Sequence, residues 1–394
     1  MTVRIGIIGI GQQGSMYASV MKNGTFMGME IGTVEGLELG AVCDNSDERK
    51  AWAEKELPGV PFFSDHIEML DSGLIDAVLV VTPHYHHPVM AMDAMERDLH
   101  VLCDKPAGVY TKKVKEMNAM AETKPHLKFA MMFNQRMNPL YLKLKELMDS
   151  NVIGEIRRTN WLITTWWRPE GYYQMSDWRA TWGGEGGGVL INQAPHQIDL
   201  WQWLCGMPTK VSAKAAYGSH RNIAVEDDVT AVVEYENGAT GSFITCVHDL
   251  VGTDRFEILG DKGKIVVEDS KKIILKTLDE SESEISKNLS FEDMKRLFMG
   301  GGIGDVITEE VIEFENVWGL QHFDVLKNFA AAITEGAELV APGSEGINAL
   351  SITNAMHLSS WLGEEVSLPI DEELYFEKLQ EKIEEEKLAK VQEA

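Results

Sequence analysis

Six consecutive residues near the start of the chain, Gly9-Ile10-Gly11-Gln12-Gln13-Gly14, have the types and spacing to cradle a pyrophosphate. They follow an apolar run at 4–8 and open a helical stretch expected over 15–22. The first glycine permits a tight turn, the second lets the backbone approach the phosphates, and the third lets the helix pack closely. The free N–H groups and dipole at the helix start then favour an anion. Asp44 ends the next apolar run, Leu37–Cys43. An acid there accepts hydrogen bonds from both ribose hydroxyls and repels a 2′-phosphate. Together they predict NAD as cofactor; Arg49 and Lys50 keep NADP as the alternative. Asp44 lies 30 positions after Gly14, against about 20 in the usual fingerprint. The Gly/Met-rich stretch 23–36 reads as an insertion that makes up the difference.

The elements that must position these residues are legible from periodicity. Unbroken apolar strands are expected at 4–8, 37–43, 77–81, 100–103 and 128–133, each followed by polar residues. Such runs separated by helices indicate a doubly wound parallel sheet covered on both faces, with ligands at the strands' C-terminal ends. After Pro139 the pattern changes. Strands at 157–166, 211–217, 229–236, 241–248, 255–258 and 264–267 alternate in polarity, with hairpin signals at Asn237-Gly238 and Asp261-Lys262-Gly263. They predict an α+β region with a large, mostly antiparallel open sheet. Helices are expected at 192–204, 323–335 and 346–362, the last two packing on the sheet or returning to the first region. Residues 279–290 read as a polar loop, and the glycines of 300–304 as a flexible connection with the character of a lid. The expected division is 1–138 for the cofactor, 139–370 for substrate and oligomerisation, and 371–394 as an acidic terminal helix.

Composition narrows the partners. A formal charge of −26 disfavours nucleic acid and anionic membranes. No apolar run approaches a membrane span, and the N-terminus enters a strand without signal-peptide features, so a cytoplasmic location is expected. Glu372–Glu393 reads as a solvated helix. Cys43, Cys103, Cys205 and Cys246 are scattered, as free thiols are. His84, His86 and His87 have metal-binding density but no accompanying carboxylate or thiol, and no metal is expected.

These features, with further motifs, resemble the Gfo/Idh/MocA family of NAD(P)-dependent oxidoreductases over nearly the whole chain. The resemblance rests on the glycine turn, Thr82-Pro83-His84-Tyr85-His86-His87, Asp104-Lys105-Pro106, Asn134-Gln135-Arg136-Met137-Asn138-Pro139, the triplet Gly186-Gly187-Gly188 leading to His196-Gln197-Ile198-Asp199, and the closing Val366-Ser367-Leu368-Pro369. It implies that Thr82, Pro83, His87, Asp104 and Lys105 line the cofactor. It also implies that Lys105 lies between nicotinamide and substrate hydroxyl, where a lysine of lowered pKa can relay a proton. The family usually has Glu where this chain has Asp104, and Asp where it has Asn192. Residues 192 and 196 would share a helical face toward the substrate, although Pro195 interrupts the pattern. His196 is the expected general base or orienting group. Loss of the carboxylate at 192 should make it less basic and shift more of the proton transfer to Lys105. Asp199 is a further candidate. The family assembles as dimers or tetramers.

Seven of the ten tryptophans fall between Trp161 and Trp203, along with Tyr172 and Tyr173. Aromatic faces suit sugar rings, and core packing or an interface would use them equally well. Arg168, Arg179, Asn192 and Gln193 are the expected substrate contacts. The reading is oxidation of a secondary hydroxyl of a sugar, glycoside or cyclitol. One alternative is glycoside cleavage through a transient 3-keto sugar with recycled cofactor. Another is a non-catalytic cofactor-binding sensor.

Overall fold

The computed structural model describes residues 2–26, 28–302, 306–315 and 319–393. Six strands form a parallel sheet in the order Phe62–Phe63, Leu37–Cys43, Val3–Ile8, Ala77–Val80, His100–Cys103 and Phe129–Met131. Alternate residues of each strand serve different cores. Ala77 and Leu79 pack with Tyr17, Val20 and Phe329, whereas Val78 and Val80 pack with Ala91, Met95 and Val114. Both faces are therefore covered, which explains why these strands read as continuous apolar runs. The helix Gln321–Thr334 comes from the far end of the chain and buries Phe323, Leu326 and Phe329 against this sheet.

The second sheet has nine strands, ordered Ile307–Glu313, Lys272–Leu278, Gly263–Glu268, Asp254–Gly260, Ile156–Ile163, Thr240–Cys246, Glu226–Glu234, Lys210–Tyr217 and Val366–Ser367. Only the pairing of Ile156–Ile163 with Thr240–Cys246 is parallel. Trp161 stacks on Phe256 at 4.2 Å and Trp201 on Phe243 at 5.4 Å, so these tryptophans are core. The helix Gly346–Leu362 lies along the edge of this sheet, where Ser359 and Ser360 accept the Ala213 and Ala215 N–H groups at 2.9 and 3.0 Å. Its Asn354 also reaches the first half of the molecule, accepting from Thr111 N–H at 3.1 Å and donating to the Val109 carbonyl at 3.0 Å.

Several expectations need correction. Residues 279–290 are not a loop: a capping box between Ser281 and Glu284 starts the helix Glu282–Asn288. The insertion at 23–36 carries a short hairpin, Thr25–Phe26 with Met29–Glu30, anchored by Phe26 edge-on to Phe323. The terminal helix Glu372–Glu393 is not simply solvated. Tyr375 and Leu379 are buried, and Glu386 accepts the Trp182 N–H at 2.6 Å. Of the glycine connection expected at 300–304, residues 303 and 304 lie outside the described residues.

Asp199 has a structural partner. Arg136 Nε and Nη2 donate to its two carboxylate oxygens at 2.8 and 2.7 Å, with both side chains shut off from solvent. This bidentate pair ties the turn after Phe129–Met131 to the helix Pro195–Cys205. Arg136 Nη1 also meets Glu345 at 2.5 Å, so Asp199→Ala leaves the guanidinium one carboxylate while its buried Nε and Nη2 lose their acceptors. Unfolding free energy should fall by about 1–3 kcal/mol in urea titrations.

Candidate active site

The glycine turn has the shape its composition predicts. Gly9 has φ +89°, and a Cβ there would sit 2.6 Å from the Val81 carbonyl oxygen. A Cβ on Gly14 would collide with the Gly9 carbonyl, while one on Gly11 would meet no protein atom within 4 Å. The turn is thus closed on its protein side and open at Gly11. The helix Gln12–Asn23 starts there with no side-chain cap, so its first N–H groups are left for a ligand. Asp44 faces the same turn, accepting from Ile10 N–H at 2.9 Å and Ser46 N–H at 3.0 Å. The buried Thr82 hydroxyl, next to Pro83, has no hydrogen-bond partner. These features fit a dinucleotide.

His87 does not offer a free ring edge to a cofactor. Its Nδ1 and Nε2 lie 2.7 Å from the Pro106 and Thr82 carbonyl oxygens, and burial pushes its pKa down to about 4. It braces the two loops that follow adjacent strands. His84 Nδ1 meets the Glu185 carbonyl at 2.8 Å, and His86 points to solvent. The three histidines are engaged separately.

Lys105, just after the strand His100–Cys103, reaches the segment that follows the glycine triplet. Its Nζ donates to the Asn192 carbonyl at 2.7 Å and approaches Asn192 Oδ1 at 3.4 Å. Burial pulls the ammonium pKa below the usual lysine value, opposed by Asp104 and Glu185 and reinforced by Arg179 and Arg168. Asp104 Oδ1 accepts the Lys105 backbone N–H at 2.8 Å, and burial raises its pKa. Residues 192 and 196 do not lie on one continuous helix. Val189–Gln193 forms a π-helical turn, Ala194 leaves it, and Pro195 begins the helix Pro195–Cys205. Proline lacks the N–H that would carry the ladder through, so a new helix starts at its fixed φ. His196 packs edge-on to Phe133, and its buried Nδ1 has no partner. Its pKa is pushed well down, by burial first and by Lys105 second. Both effects favour the neutral ring, and burial is the larger.

Sequence reasoning missed Glu185. This carboxylate is 2% exposed, accepts the Ala180 N–H at 2.6 Å, and is hydrogen-bonded by the Asn192 side-chain amide. Arg179 stands 3.9 Å away, and burial raises the Glu185 pKa to about 7. It precedes the glycine triplet, and no motif position falls on it. His322 was also missed. Its Nδ1 lies 2.9 Å from the Gly319 carbonyl, and burial lowers its pKa, with Asp104 opposing the shift and Lys105 adding to it. More than two hundred residues separate it from Lys105, with no local motif to flag it.

The expected substrate contacts converge on Tyr172. Its hydroxyl accepts from Arg179 at 2.8 Å, Asn192 at 3.3 Å and Gln193 at 3.4 Å. The Arg179 and Arg168 guanidinium groups lie 4.7 and 5.2 Å from its ring centre. Arg179 also lies over Trp178 and Arg168 over Trp166. These tryptophans line the charged region, in contrast to the core pair Trp161 and Trp201.

Comparison with known proteins gives this geometry a family. Residues 3–132 match the oxidoreductase family model with an NAD-binding Rossmann fold, and residues 141–266 match the C-terminal domain of the same family. The chain belongs to the Gfo/Idh/MocA oxidoreductases. An uncharacterised oxidoreductase of Bacillus subtilis, YrbE, is 26% identical, with 94% of this chain and 98% of that one aligned. The myo-inositol 2-dehydrogenase of Thermotoga maritima is 25% identical over 73% of this chain and 82% of its own. The structure of levoglucosan dehydrogenase with NADH and levoglucosan superposes with a TM-score of 0.76 at 20% identity, covering 94% and 100% of the two chains. That likeness bears on the fold. Among the described residues no helix is long and apolar enough to cross a membrane.

The two glycines make different predictions. Gly11→Ala should fold with unchanged thermal stability but bind NAD at least about tenfold more weakly, because its methyl enters the phosphate space. Gly14→Ala should lower the melting temperature itself. Calorimetry and NADH fluorescence titration separate the two effects.

Proposed function

We propose that this oxidoreductase removes hydride from a secondary hydroxyl of a sugar, glycoside or cyclitol, with NAD as acceptor. Residues 1–138 hold the cofactor and residues 139–370 the substrate. The observation that carries the reading is the desolvated Lys105 amine, held on Asn192 where the two sheets meet. Bound NAD supplies the hydride acceptor; the protein must deal with the hydroxyl proton. A lysine with a lowered pKa spends more time as the neutral amine, which can take that proton. His196, neutral and with a free Nδ1, orients the hydroxyl by a hydrogen bond. Tyr172, Arg179, Arg168, Asn192 and Gln193 offer the mixture of donors and aromatic faces that polyhydroxylated rings need. Asp44 supports NAD over NADP by accepting from the ribose hydroxyls and repelling a 2′-phosphate. The relative that acts on myo-inositol and the neighbour bound to levoglucosan fit this substrate class. Dimers or tetramers through the open second sheet complete the proposal.

The test is incubation of purified protein with NAD and a panel of cyclitols, free sugars and glycosides, following NADH absorbance. Net NADH with at least one panel member is expected. Lys105→Met should lower kcat by about 10²–10⁴-fold while NAD binding stays within a few-fold. Glycoside cleavage without net NADH would replace the dehydrogenase reading with redox-assisted elimination. Full activity in Lys105→Met would remove the proton-transfer role.

A further inference from the structure

Three side chains that play no part at Lys105 converge elsewhere on the second sheet. The ligating atoms of His220, Asp228 and His248 lie within 4.8 Å of one another. His248 Nε2 is 2.7 Å from Asp228 Oδ2, and the His220 and His248 rings face each other with centres 3.8 Å apart. Asp228 belongs to the strand Glu226–Glu234, and its register partner Cys246 ends the neighbouring strand two residues before His248. His220 arrives on the turn leading into the Asp228 strand. That turn is fixed by the preceding residue: buried Asp227 accepts the His220 and Arg221 N–H groups at 2.6 and 3.0 Å. Because side chains alternate along a strand, Asp227 anchors the turn from within while Asp228 faces His248.

We propose that His220, Asp228 and His248 bind a zinc-class divalent cation. Two imidazoles and one carboxylate are borderline donors suited to such an ion, and three protein ligands leave a coordination position for water or an external oxygen. Tetrahedral binding needs donors about 3.4 Å apart, so the 2.7 Å His248–Asp228 contact must open slightly to admit the ion, and the exposed His220 side chain can adjust to meet it. The ion would also reach the substrate side of the molecule. Arg221, next to His220, donates from Nε to the Arg168 carbonyl at 2.6 Å and from Nη2 to the Val247 carbonyl at 3.2 Å. The Arg168 N–H itself donates to Val247 at 2.9 Å. A cation joining His220 to His248 would therefore brace the segment that places Arg168 over Tyr172.

The experiment uses the full chain after chelator treatment. Zn²⁺ is titrated against a chromogenic competitor, and Co²⁺ is added separately for its visible absorption. Roughly one Zn²⁺ per chain is expected, with a Co²⁺ band that Zn²⁺ abolishes. His220→Ala and His248→Ala should each weaken binding at least tenfold, and Asp227→Ala about tenfold through loss of the supporting contacts. His126→Ala, at an exposed histidine elsewhere, should bind as the parent does. Absence of both Zn²⁺ uptake and the Co²⁺ band in the parent protein overturns the site. Equal uptake by the double variant His220→Ala/His248→Ala overturns it as well, even if a single variant fails to fold.

Discussion

The constraint on which the rest depends is the burial of the Lys105 amine between the two sheets. An ammonium loses much of its hydration there, and the protein answers with the Asn192 carbonyl and two nearby carboxylates, Asp104 and Glu185. Bringing these groups together needs both halves of the molecule. Lys105 follows a strand of the parallel sheet, whereas Asn192 and Glu185 stand before a helix that packs on the other sheet. The buried Arg136–Asp199 pair, the Asn354 contacts and His84 on the Glu185 carbonyl hold the halves in register. Each is a polar tie in a dry interior, where a small misplacement leaves a donor or charge unmet.

Asn192 is one of two positions, with Asp104, where the resemblance leads one to expect a different residue. The structure brings another carboxylate within one hydrogen bond: Glu185 is bonded by the Asn192 amide, and the Asn192 carbonyl takes the lysine. The negative charge acts on Lys105 across Asn192, whose side-chain amide meets Glu185 and whose backbone carbonyl meets the lysine. Burial raises the Glu185 pKa to about 7, so its charge varies near neutrality.

The parallel sheet was legible because burial on both faces makes strands unbroken apolar runs, and the glycine turn because its geometry demands particular residues. Lys105 and His196 came from motifs with fixed neighbours, and the arginines around Tyr172 from their place in the tryptophan-rich stretch. Glu185 was not legible, since a lone glutamate beside three glycines looks like any surface acid until the fold buries it. The helical face expected for residues 192 and 196 failed at Pro195, where spacing predicted a continuity that the proline backbone cannot supply. Asp199 and His87 carry motif positions yet serve as braces, a distinction set by partners distant in sequence. The packing of the terminal helix was hidden for a similar reason: its charge density describes one face, and Tyr375 and Leu379 occupy the other.

The pH dependence of kcat in Glu185→Gln, beside the parent enzyme and a substrate it oxidises, tests the central claim most directly. Glu185 raises the Lys105 pKa, and the proposed oxidation uses the neutral amine, so rate should climb as pH rises through that pKa. Removing the carboxylate charge should move this rising limb to lower pH while the plateau rate is largely kept. A limb that stays in place, or moves to higher pH, would contradict the assignment of Glu185 as the charge that tunes Lys105.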